Sequence, residues 1–96
     1  MSDELEQRSD ELLLKVRGSS NTHDLAAAIS HGVYDSRKVT LRAVGAGAVN
    51  QSIKAIAVAQ GLVGNRGLVL SVRPGFVTVQ MPDGPVSGIT MRIIVE

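Results

Sequence analysis

VGAGAVNQSIKAIAVA, residues 44–59, decides how the rest of the chain is read. KVTLRAV (38–44) runs into it with Val39, Leu41 and Ala43 on one face and Thr40 and Arg42 on the other, the period of a strand. Gly45 and Gly47 then turn the chain. The spacing beyond them predicts a helix over about residues 48–63, with Val49, Ile53, Ile56 and Ala57 as its apolar stripe. GNRG (64–67) stops that helix through glycine. Strand, glycine turn and helix in that order form a unit of α/β folds, and the turn is where such folds hold phosphates.

Working outward, LLLKVR (12–17) alternates as a strand, with Leu12, Leu14 and Val16 on one face. GSSNT breaks it, and Asn21 or Thr22 can cap a helix through about Tyr34 whose buried stripe is Leu25, Ala28, Ile29 and Val33. The last third reads as a strand pair. Leu68, Leu70 and Val72 alternate before Pro74 and Gly75, and Val77, Val79 and Met81 alternate after them. The phase slips by one across Pro-Gly, which predicts a bulge or bend there. MPDGPVSG (81–88) holds the turn, and ITMRIIV (89–95) closes the sheet with Ile89, Met91, Ile93 and Val95 on one face. The order β-α-β-α-β-β, without an internal repeat, predicts an α/β two-layer sandwich: two helices on one face of a four-stranded mixed sheet. One domain is expected over residues 12–96, preceded by an acidic, flexible tail, residues 1–11, frayed or in a short helix outside the core.

Ninety-six residues, 44% of them hydrophobic, suffice for one core. That core must be aliphatic, because Tyr34 and Phe76 are the only aromatic residues. With no cysteine, a disulfide framework, a thiol nucleophile and cysteine-ligated zinc are excluded. No apolar run reaches the ~20 residues that span a membrane, and an acidic N-terminus does not suit a signal peptide, so a cytoplasmic protein is expected. His31 and Asp35 stand four apart on the first helix, a spacing that can share a metal, but two ligands are too few for a structural site. No Ser-His-Asp arrangement follows from the two histidines. The expectation is a protein without enzymatic activity, cofactor or metal.

The net charge of +1 conceals an asymmetry. Asp3, Glu4, Glu6, Asp10 and Glu11 face only Arg8 within residues 1–11, a net of −4, whereas the remaining chain carries nine Lys/Arg against Asp24, Asp35, Asp83 and Glu96, a net of +5. A basic body with an acidic tail can bind polyanions and partly screen itself. A solvated tail on a soluble domain is the plainer alternative.

The glycine turn fits the dinucleotide fingerprint at Gly45 and Gly47 and fails at the third glycine, where Asn50 stands. No acid lies between Asp35 and Asp83 to hold a ribose, so the dinucleotide reading fails. A weaker expectation survives: a helix N-terminus approached through glycines can hold an anion, with Asn50, Gln51 and Lys54 as donors to phosphate or base edges. The alternative is a tight turn before an amphipathic helix. If the aliphatic set of each strand faces the helices, the other sheet face collects Lys15, Arg17, Arg42, Arg73 and Arg92 with no acid among them. Such a face binds polyanions through their backbone, and the shortage of aromatics excludes a base-stacking platform. A solvated face or a dimer contact is its bland counterpart.

LLLKVRGSSNTHDLAAAI, AVGAGAVNQSIKAIAVAQGLV and the closing ITMRIIVE together resemble the stage V sporulation protein S family over about residues 12–96, most specifically in GAGAVNQSIKAIAVAQG (45–61). That family is similar in fold to Alba, the archaeal chromatin protein, and the same layout occurs in the C-terminal domain of translation initiation factor 3. The resemblance implies an Alba-like homodimer and a regulatory nucleic-acid-binding role, on DNA or RNA, in sporulating bacteria. Alba proteins use a lysine pair after the first strand, where this chain has Gly18, Ser19 and Ser20. They also use an arginine in the second glycine loop, where this chain has Ala46 and Gly47. The expected contacts are therefore Ser19, Ser20, Asn21, Gly45, Gly47, Asn50, Gln51 and Lys54 near the loops, with Arg17, Arg42, Arg73 and Arg92 as the wider field. A protein-interaction module in a developmental pathway is the alternative function. A receptor for a nucleotide or phosphorylated metabolite at the glycine turn is a third.

Overall fold

A computed structural model of the chain describes residues 10–96, so the expected acidic tail, but for Asp10 and Glu11, lies outside the described residues. Its elements are β1 (Glu11–Val16), α1 (Thr22–Tyr34), β2 (Lys38–Ala43), α2 (Ala46–Val63), a 3₁₀ turn (Gly64–Arg66), β3 (Leu70–Met81) and β4 (Gly84–Val95). The sheet order is β1-β2-β4-β3; β1 and β2 are parallel, and β4 runs antiparallel to both of its neighbours. Val16, Val39, Leu41, Ala43, Met91 and Ile93 are buried under the helix layer, as the strand alternation predicts.

α1 begins where Asn21 accepts a hydrogen bond from the Asp24 N–H at 2.9 Å. It lies close on the sheet: a Cβ on Gly32 would come within 2.6 Å of Val39 Cγ2 and 3.0 Å of Leu12 Cδ2. Ile29 and Val33 of the expected stripe are buried, and Leu25 and Ala28 are half-buried beside Ala26 and Ser30, which are buried too.

α2 corrects its expected stripe. The buried face is Ala48, Ser52, Ala55, Ile56, Ala59 and Val63; Ile53 is 50% exposed, Ala57 is exposed and Val49 is half-buried. The physical reason is close approach. α2 packs against α1 and against the sheet at once, so alanine and serine fill most of the seam, the expected Ile56 and Val63 complete it, and Ile53 is left on its flank. Ser52 can lie fully buried because its hydroxyl donates to the Ala48 carbonyl at 2.8 Å. At the far end, Gln60 Nε2 donates to the Leu68 carbonyl (2.9 Å) while Oε1 accepts from the Leu70 N–H (2.7 Å), tying the helix to the start of β3.

The bulge expected at Pro74 and Gly75 is absent. β3 and β4 pair without interruption from Leu70↔Val95 to Met81↔Gly84, and the turn is only Pro82 and Asp83, so β4 begins at Gly84 instead of Ile89. The aliphatic phase changes because the environment changes, not because the ladder slips. Up to Phe76↔Ile89 the pair lies alongside β2, whose last partner is Ala43↔Ile89, and Leu70, Val72, Met91 and Ile93 point toward the helices. Five further pairs extend beyond the sheet as a two-stranded arm of about 17 Å. There Val77, Val79 and Val86 lie half-buried on the other face, where Gly88 leaves room for Val44 and Val77. Pro74 is accommodated because β3 is an edge strand.

Candidate functional site

Parallel pairing makes β1 and β2 run out at the same end of the sheet, so α1 and α2 both begin there. The arm projects past that same end, because β4 continues beyond Ala43. The two loops touch through glycine. A Cβ on Gly47 would stand 3.5 Å from Gly18 Cα, and one on Gly18 would stand 3.8 Å from the Gly47 backbone. Gln51 then straps the helix starts together, its Nε2 donating to the Ser20 carbonyl (2.8 Å) and to Thr22 Oγ1 (3.1 Å).

These bonds redistribute the expected contacts. Ser20 Oγ accepts from the Arg17 N–H at 2.8 Å, Asn21 caps α1, and Gln51 is held in the strap. Ser20 and Asn21 accept in these bonds, so the Ser20 hydroxyl and the Asn21 Nδ2 keep their hydrogens to donate, whereas the Gln51 Nε2 is already engaged by the strap. Ser19, Gly45, Gly47 and Asn50 are exposed at the loop end. Lys54 is exposed as well, but it sits eight residues beyond Ala46, about 12 Å along α2, and is not gathered with the turn.

The start of α2 is open. Gly45 has φ 92° and ψ 158°, no side chain caps the helix, and its first turn contains no acid. The first intrahelical bond runs from the Val49 N–H to the Gly45 carbonyl (3.1 Å), so the N–H groups of Ala46, Gly47 and Ala48 lie ahead of it.

On the far side of the sheet from the helices, register sets the cations in rows. Lys15 is beside Arg42, which is beside Thr90; in the next row Thr40 is beside Arg92, which is beside Arg73. Arg17 follows one residue past the end of β1. Lys38 shares this face and was missed, although it has the same parity as Thr40 and Arg42 in KVTLRAV; Glu11 stands opposite it. Lys15, Arg42, Arg73 and Arg92 make no hydrogen bond or ion pair among the described residues. Like charges side by side on a sheet repel, so the arrangement favours an anion laid across it.

On the helix side, Phe76 is 85% exposed, and with Pro74, Gly75 and Ile89 it lines a shallow pocket of about 310 Å³ at the root of the arm. The arm tip carries Asp83 and no cation. His31 and Asp35 meet at the end of α1 only through the Asp35 N–H and the His31 carbonyl (3.0 Å), and the described residues hold no group of three or more metal-ligating side chains. No helix among them is long and apolar enough to cross a membrane.

Comparison with known proteins adds a family and a fold. A family model described as Stage V sporulation protein S matches residues 12–96. Among solved structures, Alba from Thermoplasma volcanium superposes with a TM-score of 0.60 at 13% identity, covering 88% of this chain and 99% of that one. At that identity the likeness is one of fold: a mixed α/β sandwich of the Alba type.

Proposed function

Because the chain belongs to the stage V sporulation protein S family, we propose that it is a small non-enzymatic protein of sporulation that binds the backbone of DNA or RNA with low sequence specificity, as a homodimer in the cytoplasm. One observation carries the reading: four cations that make no hydrogen bond or ion pair among the described residues, Lys15, Arg42, Arg92 and Arg73, lie in adjacent register on the sheet face away from the helices. Phosphates spaced along a strand answer such rows better than a single small anion does. The face runs toward the loop end, where the exposed Gly45 and Gly47 turn and the uncapped start of α2 give further backbone donors. Arg17 lies between the two surfaces. The Alba-like fold supports the same reading and the homodimer.

The test is a titration of the full chain against fluorescent duplex DNA and single-stranded RNA over a range of salt. Four phosphate contacts give a slope of log affinity on log salt of about −3 to −4 on duplex DNA. Arg42→Glu with Arg92→Glu reduces affinity at least tenfold in that reading, by the loss of two contacts and their reversal. Absence of binding at low salt, or binding indifferent to salt, overturns it.

A second reading, a protein-interaction module, is favoured by Phe76 alone, since a phenyl ring that exposed is a natural anchor for a partner. It predicts a stable protein complex lost in Phe76→Ser, with no salt-dependent binding of nucleic acid.

A further inference from the structure

β3 is an edge strand whose outward backbone is closed along one half and open along the other. Val69 and Glu96 exchange both backbone bonds (3.0 and 2.9 Å). By alternation, the odd residues from Ser71 to Met81 bond toward β4, and the even ones from Leu70 to Gln80 turn outward. Two devices close the first half: Gln60 Oε1 takes the Leu70 N–H, and Pro74 has no N–H to offer. On the other edge of the arm, Pro85 stands at an outward position of β4 and blocks it likewise. From Phe76 to Gln80 the edge carries no proline, no charge and no bulge, and among the described residues no strand pairs with it. A two-stranded ribbon is marginal by itself, and a bare uncharged edge is a template for a further strand.

We propose that a second copy of this chain supplies that strand: β3 pairs antiparallel with β3 of the partner subunit about a two-fold axis through Thr78, joining the two sheets edge to edge. The charges around Thr78 select a copy of the same strand. Residues 74–82 are uncharged and are bounded by Arg73 and Asp83, each five positions from Thr78. Pairing about Thr78 sets Arg73 opposite the partner subunit's Asp83, and Asp83 opposite the partner subunit's Arg73, so opposite charges close both ends. Between them Thr78 meets its own copy, Val77 meets Val79 of the partner subunit, and Phe76, 85% exposed in the single chain, meets Gln80 of the partner subunit. Phe76, Thr78 and Gln80 then satisfy the outward N–H and C=O groups of their counterparts. The closed half of each edge stays clear, because residues before Arg73 fall beyond the partner's turn. The contact is isologous and closes on itself, so it ends at two copies. It rests on the homodimer reading, because it needs two copies, and it is independent of nucleic acid.

The chain has no cysteine, so one introduced thiol reports the register. In Thr78→Cys the paired Cα atoms lie about 5.5 Å apart, within the span of about 4.4–6.8 Å that a disulfide bridges. In Gln80→Cys they lie about 15 Å apart, beyond it. Mild oxidation of the full chain is expected to give covalent dimer from Thr78→Cys and at least about tenfold less from Gln80→Cys. Thr78→Lys sets like charges face to face at an exposed edge position, and should weaken self-association at least about tenfold in sedimentation equilibrium without lowering Tm. Arg73→Glu should weaken it severalfold, and Arg73→Glu with Asp83→Lys should restore it. Equal cross-linking of the two cysteine variants, or none in either, overturns the proposal. So does a dimer that Thr78→Lys leaves intact, which keeps the homodimer reading and moves its contact elsewhere. A chain that is monomeric at every concentration measured removes both.

Discussion

α1 and α2 start at the same end of the sheet, with their loops in glycine contact, yet the two starts are built differently. α1 is closed by its own residues: Asn21 caps it, Asp24 sits in its first turn, and Ser20 fastens the loop before it. α2 is entered through a glycine at φ 92°, with no cap and no acid in the first turn. A helix start costs stability when its N–H groups go unanswered, and a carboxylate there is worth about 0.3–1 kcal/mol. The closed start is answered by its own side chains, whereas the open one leaves the N–H groups of Ala46, Gly47 and Ala48 without a side-chain cap. Gln51 joins them, so the open start is held rigidly by the closed one.

Three substitutions break or sharpen this contrast. The largest effect is expected at Gly45, whose backbone lies in a region that residues with a Cβ avoid at about 1–3 kcal/mol. Gly45→Ala should lower stability by that order in urea unfolding, although nothing stands within 4 Å of the added methyl. An unchanged midpoint would mean that the turn readjusts. Next comes Asn21→Ala, which removes the α1 cap and should cost about 1 kcal/mol, seen as a fall in Tm of about 4–8 °C. Nucleic-acid affinity should change less than about twofold, because the cap faces the fold. The smallest effect on stability is the most discriminating. Ala46→Glu places an acid in the first turn of α2, which should raise stability by about 0.3–1 kcal/mol while weakening duplex binding severalfold. Stability and affinity rising together would remove that start from the interface.

Much of the fold was legible because its signals are local. Alternation in KVTLRAV and ITMRIIV marked strands, Asn21 or Thr22 after GSS marked a cap, which the structure gives to Asn21, and the glycines around α2 marked its limits. The candidate site was legible less evenly. Residue parity within single strands placed Arg42, Arg73 and Arg92 on one face, but the partners of Gln51 could not be read, since Gln51 bonds to Ser20 and Thr22 about thirty residues away in the other loop and helix start. The small-residue seam of α2 was missed because hydrophobic periodicity weights large side chains, whereas contact on two sides selects alanine and serine.

By itself, then, the sequence determined the succession of elements, the sign of the charge on each half of a strand's alternation, and the glycine positions where the backbone turns. All of these depend on residues within a few places of one another. Only the tertiary structure decided the sheet order, the unbroken β3–β4 register with its projecting arm, and the rows in which Lys15 meets Arg42 and Arg92 meets Arg73. Those depend on which strands become neighbours, and that choice is made by packing the whole core, where no single segment carries the information.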